Sequence, residues 1–330
     1  MASPYRLKVF ILHATFIEIR KQHIEKLMAV LSDSSLFSID YEYIDLFEAS
    51  TMNPDDIKSK VNLSKTNSGE FYDSIVRNMH INQISNAMKH GHALQLAKAA
   101  TKPYDFFMFL EDDVLYGDDV ITKLKVTCDT LAKSNDVDLL FLGFPSLTPI
   151  ENTETTILRP TSDFYKLFPC CDSYIVASSN IQKIADAFFP IRYITNFHLS
   201  FVCSTADIKS AMAVPNIFLD GSKYGAYLSS IDPNNKLMFN PEFIQLGNML
   251  REYKPEDDKA IALAFENMKF KNHPDVMHLN AIYLMTKGEY KKAQSILENV
   301  YDITTQNGCI VNNETDFLKT YMRLYRFIQD

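Results

Sequence analysis

The stretch Phe106-Phe107-Met108-Phe109-Leu110-Glu111-Asp112-Asp113-Val114 decides how this chain is read. Its apolar run, Phe106 to Leu110, falls far below the ~20 residues a membrane helix needs and reads as a strand buried on both faces. The run stops abruptly in three acids. Open α/β sheets bind ligands at the carboxyl ends of their strands, so an acidic cluster in that place marks a candidate site. Carboxylates projected there suit Mg²⁺ or Mn²⁺, hard cations that take oxygen ligands and share them with substrate phosphates.

Outward from this strand, short apolar runs alternate with helical periodicity. Leu7 to Leu12 reads as a buried first strand, and Ile19 to Leu31 as a helix with Ile24, Leu27, Met28 and Leu31 on one face. Ile39 to Leu46 alternates like a strand, and the polar interval from Asn53 to Gly69 reads as loop-rich. Ile81 to Ala100 carries Ile84, Ala87, Met88, Leu94 and Ala97 at helical spacing. Val120 to Ala132 reads as a helix and Val137 to Leu142 as a strand. After a Thr-, Asn- and Pro-rich break from Ser146 to Pro160, Ser173 to Ala177 reads as a strand and Asn180 to Phe189 as a helix. Pro190 opens an irregular stretch, Ala211 to Leu219 is extended, and Asp220 to Gly225 is a loop. Such alternation predicts an α/β sheet flanked by helices over residues 1–235.

From about Asn240 onward glycine is scarce and helical patterning dominates, which predicts a small all-α region over 236–330. Within it Ala281, Gly288, Tyr290, Ala293, Leu297 and Val300 sit at tetratricopeptide-like offsets, those of a helical hairpin with small residues where its helices cross. A helical appendage and a protein-interaction module are both open readings of this tail.

Charge and composition narrow the function classes. With 33 Lys+Arg against 41 Asp+Glu the 330-residue chain carries a formal charge of −8, which counts against a nucleic-acid partner, since such proteins need basic surplus to displace counterions. At 46% apolar residues it is neither low-complexity nor disordered. No run spans a membrane, and His13 interrupts the only candidate signal-peptide core, so the expected location is cytoplasmic. The five scattered cysteines fit neither a disulfide framework nor paired metal knuckles.

Several of these segments together resemble glycosyltransferase family 25: Lys8-Val9-Phe10-Ile11-Leu12 with Arg20, the Asn86 to Leu96 helix with His90, Leu110 to Val114, Asp138 to Gly143, Asp172 to Ser178, Pro190 to Leu199 and Leu228 to Ile231. That family includes lipooligosaccharide and collagen galactosyltransferases and relatives in large DNA viruses. The Asn-, Ile-, Phe- and Lys-rich, Trp-free composition suits an AT-rich genome such as that of a giant virus. The resemblance implies a GT-A fold, a mixed sheet holding a nucleotide-sugar donor, UDP-sugar first among them, with Mn²⁺ or Mg²⁺ on the diphosphate. The expected reaction is inverting transfer of the sugar to a hydroxyl of a glycan or glycoprotein.

Residue by residue, it implies a metal site of Glu111, Asp112 and Asp113, with Asp113 the direct ligand, Glu111 toward the ribose or a metal-bound water, and Asp112 an alternative ligand or one that supports the site from behind. His13-Ala14-Thr15 follows the first strand where the nucleotide base passes, Asp45 ends the second, and Arg20 and His90 fall within the matching segments. Ser222 and Lys223, in a Gly-bounded loop, are candidates for the diphosphate. His90 and His92 cannot chelate together, since helical residues two apart point about 200° apart. The sequence departs from the family at Asn196, where an Asp is usual and where asparagine cannot act as a base. His198, Asp172 and Asp220 are the candidates to take the acceptor proton. A metal-dependent phosphoesterase, and a degenerate domain serving as scaffold for a protein partner through its tail, are the competing readings.

Overall fold

Parallel pairing of two neighbours onto the first strand organises the amino-terminal part of the chain. The structure is a computed structural model that describes residues 3–15, 17–62, 79, 81–143, 156–158, 171–223, 226–227, 240–268, 271–306, 320 and 324. The chain divides into two compact units, Met1–Asp220 and Gly221–Asp330.

In the first unit the elements run β1 (Tyr5–Leu12), α1 (Glu18–Ser32), β2 (Phe37–Ile44), α2 (Pro54–Lys60), α3 (Ile81–Lys98), β3 (Phe106–Glu111), β4 (Val114–Tyr116) and α4 (Val120–Lys133). They continue with β5 (Leu139–Phe141), β6 (Thr156–Leu158), β7 (Ser173–Ala177), α5 (Ile181–Phe188), α6 (Thr195–Thr205), β8 (Ser210–Val214) and β9 (Phe218–Asp220). Seven described strands form one sheet in the order β2-β1-β3-β7-β5-β8-β6, and β4 pairs with β9 in a separate ribbon. β1 is parallel to both β2 and β3, whereas β7 is antiparallel to β3 and β5, so the sheet is mixed. The α/β sheet flanked by helices expected from the sequence is what forms.

The chain leaves β1 toward β2 on one side and returns to β3 on the other. The order of connections therefore reverses between β1 and β3, and their adjacent carboxyl ends make the crevice where open α/β sheets bind ligands. The pleat then sorts side chains. Phe107 and Phe109 join Phe10, Leu12 and Tyr174 in one core layer, and Phe109 stacks on Tyr174 at 4.7 Å between centroids. Phe106, Met108 and Leu110 join Leu7, Val9 and Ile11 against Ile24, Leu27 and Met28 of α1. Fully burying each such residue contributes roughly 1.5–3 kcal/mol, so β3 is held from both faces.

The structure corrects four local expectations. The polar interval after Asn53 starts with helix α2, because Asn53 caps it by accepting from the Asp55 amide at 2.9 Å. The stretch after Pro190 contains α6, whose His198, Leu199 and Val202 are buried in spite of its poor periodicity. The break from Ser146 to Pro160 contributes the short strand β6, antiparallel to β8. The extended segment 211–219 is two strands in different sheets, parted at Pro215-Asn216.

In the second unit α7 (Pro241–Arg251), α8 (Asp258–Asn267), α9 (Pro274–Thr286) and α10 (Tyr290–Gln306) are helical as expected. Asn240 caps α7 by accepting from the Phe243 amide at 2.9 Å, and Gly288 turns the α9–α10 hairpin with φ +76°. Ala281, Ala293, Leu297 and Val300 are buried together with Leu324. Among the described residues no helix is long and apolar enough to cross a membrane.

Candidate functional site

The three acids at the end of β3 part company. Because side chains alternate across a strand, Glu111 emerges on the face of Phe107 and Phe109, while Asp112, in the turn beyond β3, meets Arg20 of α1. They do not converge on one point.

Asp112 is buried and its carboxylate is fully engaged. Oδ1 accepts from Arg20 Nη1 at 2.7 Å, and Oδ2 accepts from His13 Nδ1 at 2.9 Å and from the Ala14 amide at 2.8 Å. Burial pushes this carboxyl up, but the His13 bond, the Arg20 charge and the Ala14 amide outweigh burial and leave its pKa below the ordinary carboxylate value. For Arg20, 2% exposed, burial alone lowers the pKa, and Asp113 and Asp112 more than reverse it. Asp112 thus ties α1 and the end of β1 to β3. With both oxygens bonded to protein it acts as a fastening, which fits the supporting place behind the direct ligand that was one of the two readings of it.

Asp113 differs. It is buried, its Oδ2 lies 3.5 Å from Arg20 Nη2, and its Oδ1 has no hydrogen-bond partner among the described residues. Burial pushes its carboxyl well above the ordinary range; Arg20 opposes this, and Asp220, Glu111 and Asp112 add to it. Asp220 is brought alongside by the β4–β9 ribbon, in which it pairs with Val114, the residue after Asp113. A buried carboxylate oxygen without a donor, among other acids, is costly unless a proton or a cation neutralises it.

Glu111 lies in a different setting. Its Oε1 accepts from Asn86 Nδ2 at 3.0 Å, and is 3.2 Å from His90 Nε2 and 3.8 Å from Cys171 Sγ. His90 is fully buried on α3, its Nδ1 lies 3.0 Å from Tyr174 Oη, and its ring stacks on that tyrosine. Asn86 also donates to Thr195 Oγ1 at 3.1 Å, which links α3 to α6.

The other expected residues scatter. Thr15 is exposed, its amide 3.3 Å from Glu48 Oε1, and Asp45 is exposed just past β2. Asp172 is buried beside the end of β3: its carbonyl accepts from the Glu111 amide at 2.7 Å and its Oδ2 from Ser173 Oγ at 3.1 Å. A side chain at Gly143 would meet that Oδ2 at 2.5 Å, so the glycine makes the room Asp172 occupies. Ser222 and Lys223 belong to the turn that opens the second unit. His92 is half-buried against Phe47, away from His90's partners.

His198 is 1% exposed, with Nε2 donating to the Phe188 carbonyl at 2.7 Å, Nδ1 3.5 Å from the Arg192 amide, and its ring edge-on to Phe188. Both nitrogens serve the backbone, which is a packing role. Burial lowers its pKa to about 4, helped by the Arg192 charge and opposed by the Phe188 bond. A group that is neutral when folded but takes a proton when unfolded stabilises the fold above pH 6.5. That contribution falls away as pH drops from 6.5 toward about 4. The slope of unfolding free energy against pH in that window should fall in His198→Gln by up to about 1.4 kcal/mol per pH unit, read from urea titrations. His273, also lowered to about 4 by burial, stays intact in the variant and cancels in the comparison.

No family model matches the chain, and no curated protein sequence matches it either. Among solved structures, mouse xyloside xylosyltransferase 1 in its apo form is similar at 10% identity and a TM-score of 0.30, covering 63% of this chain and 84% of that one. Likeness at that level leaves the functional reading to the chain's own residues.

Sequence reasoning missed Lys89, Glu48, Asn86 and Cys171. Lys89 is buried, pairs with Glu48 at 2.6 Å and donates to the His13 carbonyl, fixing the end of β1 from the α3 side. A signal for it existed. Ser85, Asn86, Lys89 and His90 recur at i, i+3 and i+4 spacings, a polar stripe whose Ser85, Lys89 and His90 are buried.

Proposed function

We propose that this chain is a metal-dependent glycosyltransferase that moves a sugar from a nucleoside-diphosphate donor, a UDP-sugar first among them, to a hydroxyl of a glycan or glycoprotein. The observation that carries this reading is the buried, unsatisfied oxygen of Asp113 next to Asp220, at the carboxyl ends of β1 and β3. The resemblance of its ordered segments to family 25, read from the sequence, supports it. The residues present fit a hard divalent cation, since Asp113 Oδ1 is a buried carboxylate oxygen with no hydrogen-bond partner among the described residues and Asp220 adds a second carboxylate beside it. Bound there, such an ion would neutralise charge on the departing nucleoside diphosphate.

The chain's own groups do the rest. Arg20, His13 and the Ala14 amide hold Asp112 and thereby fix the turn that aims Asp113. The exposed loop at Thr15 and the exposed Asp45 offer polar contacts to base and ribose beside the end of β1. Asp172, given space by Gly143, takes the acceptor proton in this reading.

Thermal stability with Mn²⁺ and a panel of UDP-, GDP- and TDP-sugars tests the proposal. Stabilisation by one nucleotide class, removed by EDTA, is expected, and Asp172→Asn should keep that stabilisation while losing transfer. A response to simple phosphate esters with no nucleotide preference would instead assign a phosphoesterase, and no response to any donor would abandon the enzyme.

A further inference from the structure

The same strand end carries a second constellation whose chemistry differs from that of Asp113. One ligand atom from each of His90, Glu111 and Cys171 lies within 4.8 Å of the others, and the His90 Nε2–Glu111 Oε1 and Cys171 Sγ–Glu111 Oε1 separations are 3.2 and 3.8 Å. They come from α3, from the last residue of β3, and from a position two residues before the start of β7. We propose that His90, Glu111 and Cys171 bind a borderline-soft divalent metal ion of the zinc kind, at a site separate from the oxygen-ligated cation assigned to Asp113. This assignment is independent of the transferase reading.

Four observations converge on it. First, the donor set is nitrogen, oxygen and sulfur, which favours zinc-like ions over Mg²⁺ or Ca²⁺. Second, ligand bonds of about 2.0–2.3 Å in a tetrahedron put neighbouring donors about 3.3–3.6 Å apart. The separations of 3.2 and 3.8 Å need only small side-chain adjustment to reach that. Third, the outer contacts are those that orient metal ligands: Tyr174 Oη lies 3.0 Å from the other ring nitrogen of His90, and Asn86 Nδ2 donates to the Glu111 carboxylate at 3.0 Å. Fourth, the charges close. A neutral imidazole, a carboxylate and a thiolate balance a divalent ion, so the assembly carries no net charge where His90 and Cys171 are buried. Binding releases the thiol proton to solvent and involves no electron transfer.

With three protein ligands a fourth position remains for water or a substrate atom, and the 12% exposure of the Glu111 side chain gives solvent a route to it. The ion would clasp α3, β3 and the start of β7 at the crevice, leaving Asp113 for the cation on the donor.

Cobalt(II) reports the site directly. Full-length protein stripped with chelator and titrated with Co²⁺ should develop a thiolate-to-cobalt charge-transfer band in the near ultraviolet and intense visible bands of tetrahedral cobalt, both displaced by Zn²⁺. Cys171→Ser should abolish the charge-transfer band and weaken Zn²⁺ binding by more than the roughly 10–100-fold that loss of an outer-shell partner costs. Circular dichroism and Tm of the metal-free variant should match those of the parent, because serine is nearly isosteric. Asp113→Asn should leave the cobalt spectrum unchanged even though it removes donor binding, which separates the two sites. Absence of the band in the parent protein overturns the proposal and assigns the triad to hydrogen bonding alone. A band that persists undiminished in Cys171→Ser also overturns it.

Discussion

Replacing Arg20 by methionine is expected to lower the stability of the first unit by about 3–5 kcal/mol, the cost of leaving one member of a buried ion pair without its partner. The guanidinium is 2% exposed and lies 2.7 Å from Asp112 and 3.5 Å from Asp113. Methionine keeps most of the aliphatic volume, so the loss reads the charge rather than a cavity. Without Arg20, two buried acids face each other with only the His13 bond and the Ala14 amide to hold Asp112. The double change Arg20→Met with Asp112→Asn should recover part of the loss, because it deletes the stranded charge, and the coupling between the two positions should exceed 1 kcal/mol or so. Urea denaturation followed by circular dichroism measures both. A single-variant loss under about 1 kcal/mol would mean the acids are hydrated and the crevice open to water, removing the ground for a preformed cation site.

How much of this was legible beforehand depends on sequence distance. The sheet came through because it is written locally: Phe106 to Leu110 is a two-face strand, and Ile24, Leu27, Met28 and Leu31 mark the helix that covers it. The acids were found for the same reason, but their partners were not. Arg20 meets Asp112 across 92 positions and Cys171 meets Glu111 across 60, and no window of a dozen residues contains such pairs. The division of labour among the acids was readable and went unread. A period of two continues the Phe107 and Phe109 face to Glu111, the last residue of β3, and leaves Asp112 and Asp113 to the turn beyond it. His198 shows the converse. Its chemistry suggested a base, while the fold uses both ring nitrogens to satisfy the Phe188 carbonyl and the Arg192 amide, a demand that exists only once α6 has packed. The tail was legible as helical because glycine is scarce and helical patterning dominates there, and its Ala281, Ala293, Leu297 and Val300 are buried in one cluster.

Asp113→Asn is expected to leave the metal-free protein as stable as the parent or more so, and to abolish the stabilisation that Mn²⁺ and a nucleotide sugar confer. The two halves of that expectation have one cause. Burial first, with Asp220, Glu111 and Asp112 adding to it against Arg20, pushes the Asp113 carboxyl well above its usual range, so without a cation its anionic form is disfavoured. Asparagine has the shape of that neutral acid and removes the repulsion for good. It offers a neutral carbonyl where a hard cation wants an anionic oxygen, so the gain in the empty state becomes a loss in the loaded one. Cation stabilisation of the leaving diphosphate is worth several kcal/mol, so transfer should fall at least about a hundredfold, with little of it restored by raising the donor concentration. Asp112→Asn should behave the opposite way, losing stability through its bonds to Arg20, His13 and Ala14 before it loses metal. Were the Asp113 variant still stabilised by donor and Mn²⁺ while the Asp112 variant was not, the roles of the two residues would have to be exchanged.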